Sequence, residues 1–325
     1  MSLLELAVMP SKKSKYEPIR DISMFEFLNR IPDEKSAVNY IEQLRWSGTP
    51  ICPHCESDNV AVCKNAKPMP YRCRSCRKHF SVRTNTVMAQ AKIPLRMFLY
   101  AVYLLTTHRK GIPSRELARE LGLTPKSAWF LSHRIRTALK QKGGILSGPV
   151  EIDETYIGGK EYNKHESKKL HAGRGTVGKT PVIGARGRHC GKVKAKPIAD
   201  TGRKELHGFV GETVKEGDTV YTDDHRGYTG LTEHKHGTVR HSVKEYVKGD
   251  IHTNSIESFW ALLKRGHYGV YHQMSDKHLE RYVDEFSTRM NMRLLDTMSK
   301  VENVIAGSID RTMPYKELIS EPKAR

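Results

Sequence analysis

Two groups of residues in this chain have the types and spacings that chemistry needs. The first is four cysteines in two pairs, CPHC (Cys52, Cys55) and CRSC (Cys73, Cys76), with 17 residues between the pairs. Each C-x2-C makes a tight turn from which two thiolates converge, and two such turns facing one another supply the four sulfur ligands of a tetrahedral Zn2+. His54, inside the first turn, is a rival ligand of poorer fit. A disulfide pairing suits a secreted chain, and a redox C-x-x-C would use one pair in a helical context. Cys63 and Cys190 lie outside the pattern and read as spare thiols.

The second group is three carboxylates, Asp153, Asp223 and Glu257, spaced by 70 and 34 residues. Carboxylates are hard oxygen ligands that suit Mg2+ (or Mn2+), an ion that keeps water and substrate phosphate in its shell. Two such ions about 3.5–4 Å apart can activate a water or a 3′-hydroxyl and stabilise the leaving oxygen of an in-line phosphoryl displacement. No His or Cys accompanies these acids at ligand spacing, so a zinc site is not expected here.

Elements that would hold these groups can be read along the chain. Between Met24 and Trp46, apolar residues at Phe27, Leu28, Ile31, Val38, Ile41 and Leu44, broken by Pro32, predict two short helices. Tyr71 and the run from His79 to Val82 read as ribbon strands. Met88 to His108 is a helix candidate, and Gly111 to Leu139 reads as helix-turn-helix: Ser114 caps one helix, Gly122 turns the chain, and Thr124-Pro125 opens a second. In such a unit the second helix enters the major groove, offering Lys126, Ser127, Phe130, His133 and Arg134. An ordinary helical hairpin is the other reading.

After Gly143-Gly144 the texture changes. Strands are predicted at Val150 to Asp153, Val182 to Arg188 and Lys192 to Ile198, a helix at Arg203 to Val214, and a strand from Asp218 to Asp224. Three strands, a helix, then a strand is the opening order of an RNase H-like sheet, which binds divalent metal on acids at the ends of adjacent central strands. In His252 to Gly266, Ile256, Phe259, Trp260 and Leu263 share one helical face. Glu257, Lys264, Ala261 and Asn254 share another. Glu257 also stands where it could close a capping box with Asn254.

Charge narrows the partners. Lys and Arg number 55 against 36 Asp and Glu, a net +19, and 38% of residues are hydrophobic. A disordered basic tail is excluded. The segment Lys160 to Lys204 carries 13 Lys/Arg against 3 Asp/Glu, more than half of the net charge, and includes Lys168, Lys169 and Arg174. That density suits a phosphate backbone held by counterion release. The longest strictly apolar run, Met97 to Leu105, has nine residues, against roughly 20 for a membrane span. The start, MSLLELAVMPSKKSK, lacks the basic n-region of a secretory leader.

The segments VEIDETYIGG, VYTDDHRGY and HTNSIESFWALLKRGHYGVYH, followed by HLERYVDEFSTRMNMR, resemble the DDE transposases of bacterial insertion sequences. The likeness is to the group with an N-terminal zinc ribbon and an RNase H-like catalytic domain, related to the eukaryotic Merlin elements, and covers residues 20 to 295. It implies an α/β fold with an RNase H-like mixed sheet flanked by helices, preceded by the ribbon and helix-turn-helix. It also implies Mg2+-dependent cutting and joining of DNA by a homo-oligomer bound to terminal inverted repeats and target DNA, in the bacterial cytoplasm. Carried across, Asp153, Asp223 and Glu257 are the three acids, and Lys264, with Arg265 beside it, meets the transposon end. Asp224 directly follows Asp223, and the family pattern Thr-Asp selects Asp223; Asn254 stays open as a further participant.

The expected organisation is a disordered start (1–20), helices and zinc ribbon (21–87), a helix-turn-helix region (88–145), the catalytic domain (146–295), and a C-terminal helix and tail (296–325). On residues alone, a nuclease or resolvase that does not join DNA, and a non-catalytic DNA-binding regulator, also remain.

Overall fold

The computed structural model describes residues 21–140, 143–159, 161–171, 175–239 and 251–320. The expected disordered start and Arg174 lie outside the described residues. Among the described residues, no helix is long and apolar enough to cross a membrane.

Helices α1 (Met24–Arg30) and α2 (Glu34–Trp46) open the chain, each capped by a side chain, Ser23 and Asp33, that accepts from the backbone N–H three residues on. A small antiparallel sheet follows, β1 (Val60–Val62), β2 (Tyr71–Cys73) and β3 (His79–Phe80). Then come α3 (Leu95–Thr107), α4 (Ser114–Leu121) and α5 (Pro125–Leu139). Ser114 is the first residue of α4 and Pro113 stands at its cap, where no side chain bonds the helix. The turn into α5 is as expected: Gly122 adopts φ +62°, and Thr124 accepts from the N–H of Ser127 with Pro125 in the first turn.

The second sheet contains β4 (Val150–Ile157), β5 (Thr180–Gly187), β6 (Val193–Pro197), β7 (Thr219–Asp223) and β8 (Lys235–Val239), in spatial order β6-β5-β4-β7-β8. The first three strands are antiparallel, whereas β7 and β8 run parallel to β4. Helix α6 (Arg203–Thr213) supplies the crossover from β6 to β7 and covers one face, packing Leu206, Phe209 and Val210 on Val150, Ile152, Ile183 and Ala185. The other face receives α7 (Asn254–Gly266) and α8 (Asp276–Asn291), whose Ile256, Phe259, Trp260, Leu263, Val283 and Phe286 meet Ile157, Val182 and Val193. This is the mixed α/β sheet flanked by helices that the sequence predicts.

Two further helices, α9 (Thr297–Ser308) and α10 (Tyr315–Ile319), end the described chain. Helix α9 returns to the N-terminal module: Val301, Val304 and Ile305 share a core with Phe27, Ile41, Phe80, Leu99, Leu131 and Ile135. At Gly307 of that helix an added Cβ would lie 2.2 Å from the carbonyl oxygen of Ala138, so α5 and α9 touch through a bare backbone.

Candidate active site

The zinc ribbon closes around its cysteines. One ligand atom from each of Cys52, Cys55, Cys73 and Cys76 lies within 4.8 Å of the others, and the Sγ pairs Cys52–Cys76 and Cys55–Cys73 are each 3.6 Å apart. Four thiolates at about 2.3 Å from Zn2+ in a tetrahedron stand about 3.8 Å apart, so the thiols fit this ion. The two knuckles repeat one another: the residue after each second cysteine, Glu56 or Arg77, has a left-handed backbone, φ 59° and 62°. The backbone N–H of Cys76 holds the Cys73 thiol down, whereas burial pushes the Cys52 thiol up. These four cysteines form a structural zinc site.

The carboxylates are assembled differently. Along β4 alternate residues face opposite sides of the sheet. Val150 and Ile152 point to α6, and Glu151 and Asp153 point to α7. In the parallel pairing of β4 with β7, Val150 is matched with Val220 and Glu151 with Tyr221. That offset of 70 equals the separation of Asp153 from Asp223, so the two acids are level across the pair and on the same face. The paired ladder covers only those two residues of each strand, and the acids lie two positions beyond it. A crevice outside the carboxyl end of a strand, where connections diverge, is where open α/β sheets place their ligands.

Glu257 approaches on the first turn of α7, exposed, its Oε1 accepting from the Thr253 hydroxyl at 2.9 Å. Burial first, then Glu154, Asp223 and Glu257, raise the Asp153 carboxyl to about 7. This shared field is the sign that the three acids occupy one neighbourhood. They are spread more widely than the cysteines: among the described residues, only the cysteine cluster brings its ligand atoms so close. The set offers hard oxygen donors alone, which fits Mg2+ or Mn2+ and argues against zinc. Asp224 lies past the end of β7 and is exposed; Asn254, the first residue of α7, is exposed as well.

Glu154 faces the α6 side, as strand alternation predicts. Its Oε2 accepts from the Tyr228 hydroxyl at 2.6 Å, and His225 Nδ1 lies 3.7 Å from Oε1. Burial raises its carboxyl too.

The role of Glu151 is not evident in the sequence. Fully buried, it accepts from the backbone N–H groups of Ser255 and Ile256 at 2.7 and 3.1 Å, while Arg188 Nε donates to its other oxygen at 2.8 Å. A carboxylate thus sits at the positive end of α7 and ties that helix to the strand carrying Asp153. The signal was present in the alternation of VEIDET, but its partner lies 104 residues away.

The DNA-facing residues divide. Lys126 is exposed at the start of α5, its ammonium 5.1 Å from the Tyr315 ring, and Ser127 is half-buried beside it. His133 and Arg134 are corrected. His133 is 0% exposed, packed on His278 and Tyr282, with its imidazole pushed far down by burial and by Arg136, His278 and Arg281. Arg134 is buried and donates to the carbonyl of Ala89. The second half of α5 is a core helix, packed against α3, α8 and α9, so it cannot lie in a groove along its length. Lys168 belongs to a short 3-10 turn, Glu166–Lys168. Lys169 pairs with Glu166 at 2.6 Å. On α7, Arg265 is exposed and Lys264 half-buried.

Residues 145–291 match the family described as the ISXO2-like transposase domain, and residues 32–79 match the transposase zinc-ribbon domain. A relative in Halobacterium salinarum, named as an uncharacterized protein in transposable element ISH50, is 31% identical over 271 residues, 79% of this chain and 90% of that protein. With a ribbon, a five-stranded sheet and acids on one face, the chain belongs to the zinc-ribbon transposases of the ISXO2-like family.

Proposed function

We propose that this transposase-family chain binds the terminal inverted repeats of its own element as a homo-oligomer. It cuts or nicks the DNA there and joins the ends to target DNA, using two Mg2+ (or Mn2+) ions held by Asp153, Asp223 and Glu257. The observation that carries this reading is the gathering of acids from β4, β7 and α7 on one sheet face, with Asp153 raised to about 7 by burial and then by its acidic neighbours. Three carboxylates gathered on one face repel a phosphate until divalent ions offset their charge.

Bound there, the two ions would activate the attacking hydroxyl and stabilise the leaving oxygen. The chain's own residues hold the acids in place. Thr253 steadies the Glu257 carboxylate, Glu151 fixes the start of α7, and the sheet register levels Asp153 with Asp223. Lys264 and Arg265, farther along the same helix, would meet phosphates of the transposon end. Lys126 and Ser127, with Lys168, Lys169 and Arg174 of the basic segment, would hold flanking duplex.

The test incubates the protein with Mg2+, a pre-cut DNA end and a target plasmid. Covalent joining is expected, falling by at least about 100-fold in Asp153→Ala, Asp223→Ala and Glu257→Ala while DNA binding survives. Cleavage without joining would identify a nuclease or resolvase instead. Tight binding with neither product would identify a regulator.

A further inference from the structure

Trp260 is 3% exposed in the core between α7 and the sheet, in contact with Phe259. Burial alone would be served by any large apolar side chain. Its one polar atom is not idle: the indole Nε1–H donates to Asp153 Oδ2 at 3.0 Å. An indole N–H only donates, so it always finds the carboxylate as acceptor.

A second position makes that contact feasible. Gly184 on β5 stands directly opposite Asp153 in the antiparallel register. A Cβ at Gly184 would lie 2.6 Å from Cη2 and 2.7 Å from Cζ2 of Trp260. The φ of Gly184 is not in the left-handed region, so the backbone does not demand glycine there. The demand comes from the indole, which occupies the space a side chain would fill. Strand, glycine and tryptophan thus form one arrangement with Asp153 at its centre.

We propose that Trp260 is the positioning residue of the first acid. Its N–H fixes the Asp153 carboxylate through Oδ2 and reserves Oδ1 for a divalent cation, and Gly184 is glycine so that the indole can reach. This inference rests on the divalent-metal reading above. It extends that reading to a group one shell outside the ion, where such hydrogen bonds orient ligands and their loss typically costs 10–100-fold in metal affinity.

The chain has three tryptophans, Trp46, Trp129 and Trp260, so the full-length 15N-labelled protein shows few indole N–H resonances. Mg2+ titration is expected to shift one of them, the one missing in Trp260→Phe, and Mn2+ to broaden it before the other two. Mn2+ binding followed by electron paramagnetic resonance should weaken about tenfold in Trp260→Phe and in Gly184→Ala, with zinc content retained. If no indole resonance responds at saturating Mg2+, the positioning role is overturned, and that measurement needs no variant. Wild-type Mn2+ affinity in Trp260→Phe, beside loss of that ion in Asp153→Asn, would also overturn it while leaving the metal reading intact. Unchanged Mn2+ binding in Asp153→Asn would remove the metal reading and this inference together.

Discussion

The zinc ribbon and the carboxylate face, for which we propose a divalent ion, are assembled in opposite ways. The ribbon draws its ligands from Cys52 to Cys76, and each knuckle is closed by its own backbone, as in the bond from Glu56 N–H to the carbonyl of Cys52. All four sulfurs stay mutually close. The acids come from two strands and a helix between Asp153 and Glu257, and nothing local brings them together. Structural metal sites are closed, and catalytic ones stay open for substrate. The ribbon therefore stabilises its surroundings through its ion, whereas the acid face costs stability as the buried Asp153 ionises among its acidic neighbours.

Breaking the ribbon should produce the largest effect. Cys52→Ser is expected to abolish zinc binding, measured by elemental analysis, and to unfold the ribbon, because Zn2+ supplies roughly 10–16 kcal/mol in comparable small modules. Zinc content should be unaffected by Asp153→Ala. A ribbon that keeps its zinc stoichiometry in Cys52→Ser would refute the ligand assignment.

Next in size is Glu151→Gln, which leaves Arg188 facing a neutral amide and weakens the cap on α7. Removing one partner of a buried pair costs about 3 kcal/mol or more, to be read from chemical denaturation, and strand joining should fall with it as Glu257 loses its support. Full joining activity in a destabilised Glu151→Gln would show that α7 does not depend on this anchor.

A smaller effect of opposite sign is expected at Asp153. Its folded carboxyl, raised to about 7 from 3.8, means that metal-free stability is greatest when the group is protonated and is lost as pH climbs from about 4 through 7. Asp153→Asn should therefore raise the metal-free unfolding free energy at pH 8 by on the order of 1–3 kcal/mol, read from chemical denaturation, and change it little at pH 4. An equal gain at both pH values would show that the charge is not the cause. The smallest change is at Arg265→Ala, which should leave stability untouched and lower the slope of log affinity for DNA against log salt by about 0.9.

Much of this contrast was legible in the sequence. The two C-x2-C pairs carry their own geometry, so the ribbon and its ligands could be read directly. Strand alternation and helical periodicity gave four of the five strands of the larger sheet, α6 and the apolar face of α7, including Trp260 and Leu263, but not β8. Local pattern could not show the surroundings of α5. Ala128, Leu131 and Ile135 form one buried face at helical spacing, but α3, α8 and α9 enclose the helix on further sides and bury His133 and Arg134. The tasks of Glu151 and Gly184 were equally hidden, because each is defined by a partner on α7, far along the chain.

The buried carboxylate of Glu285 accepts from Arg136 Nε on α5 at 2.6 Å, from Arg289 and from the Tyr271 hydroxyl. Arg136 is 2% exposed and stacks its guanidinium over Tyr282. Through this knot the helix that follows the turn at Gly122 is clamped to the helix lying on the five-stranded sheet. Under the function proposed above, a duplex held at the start of α5 would have its distance from the carboxylates set by this clamp, so packing far from the acids would decide where along the duplex they act.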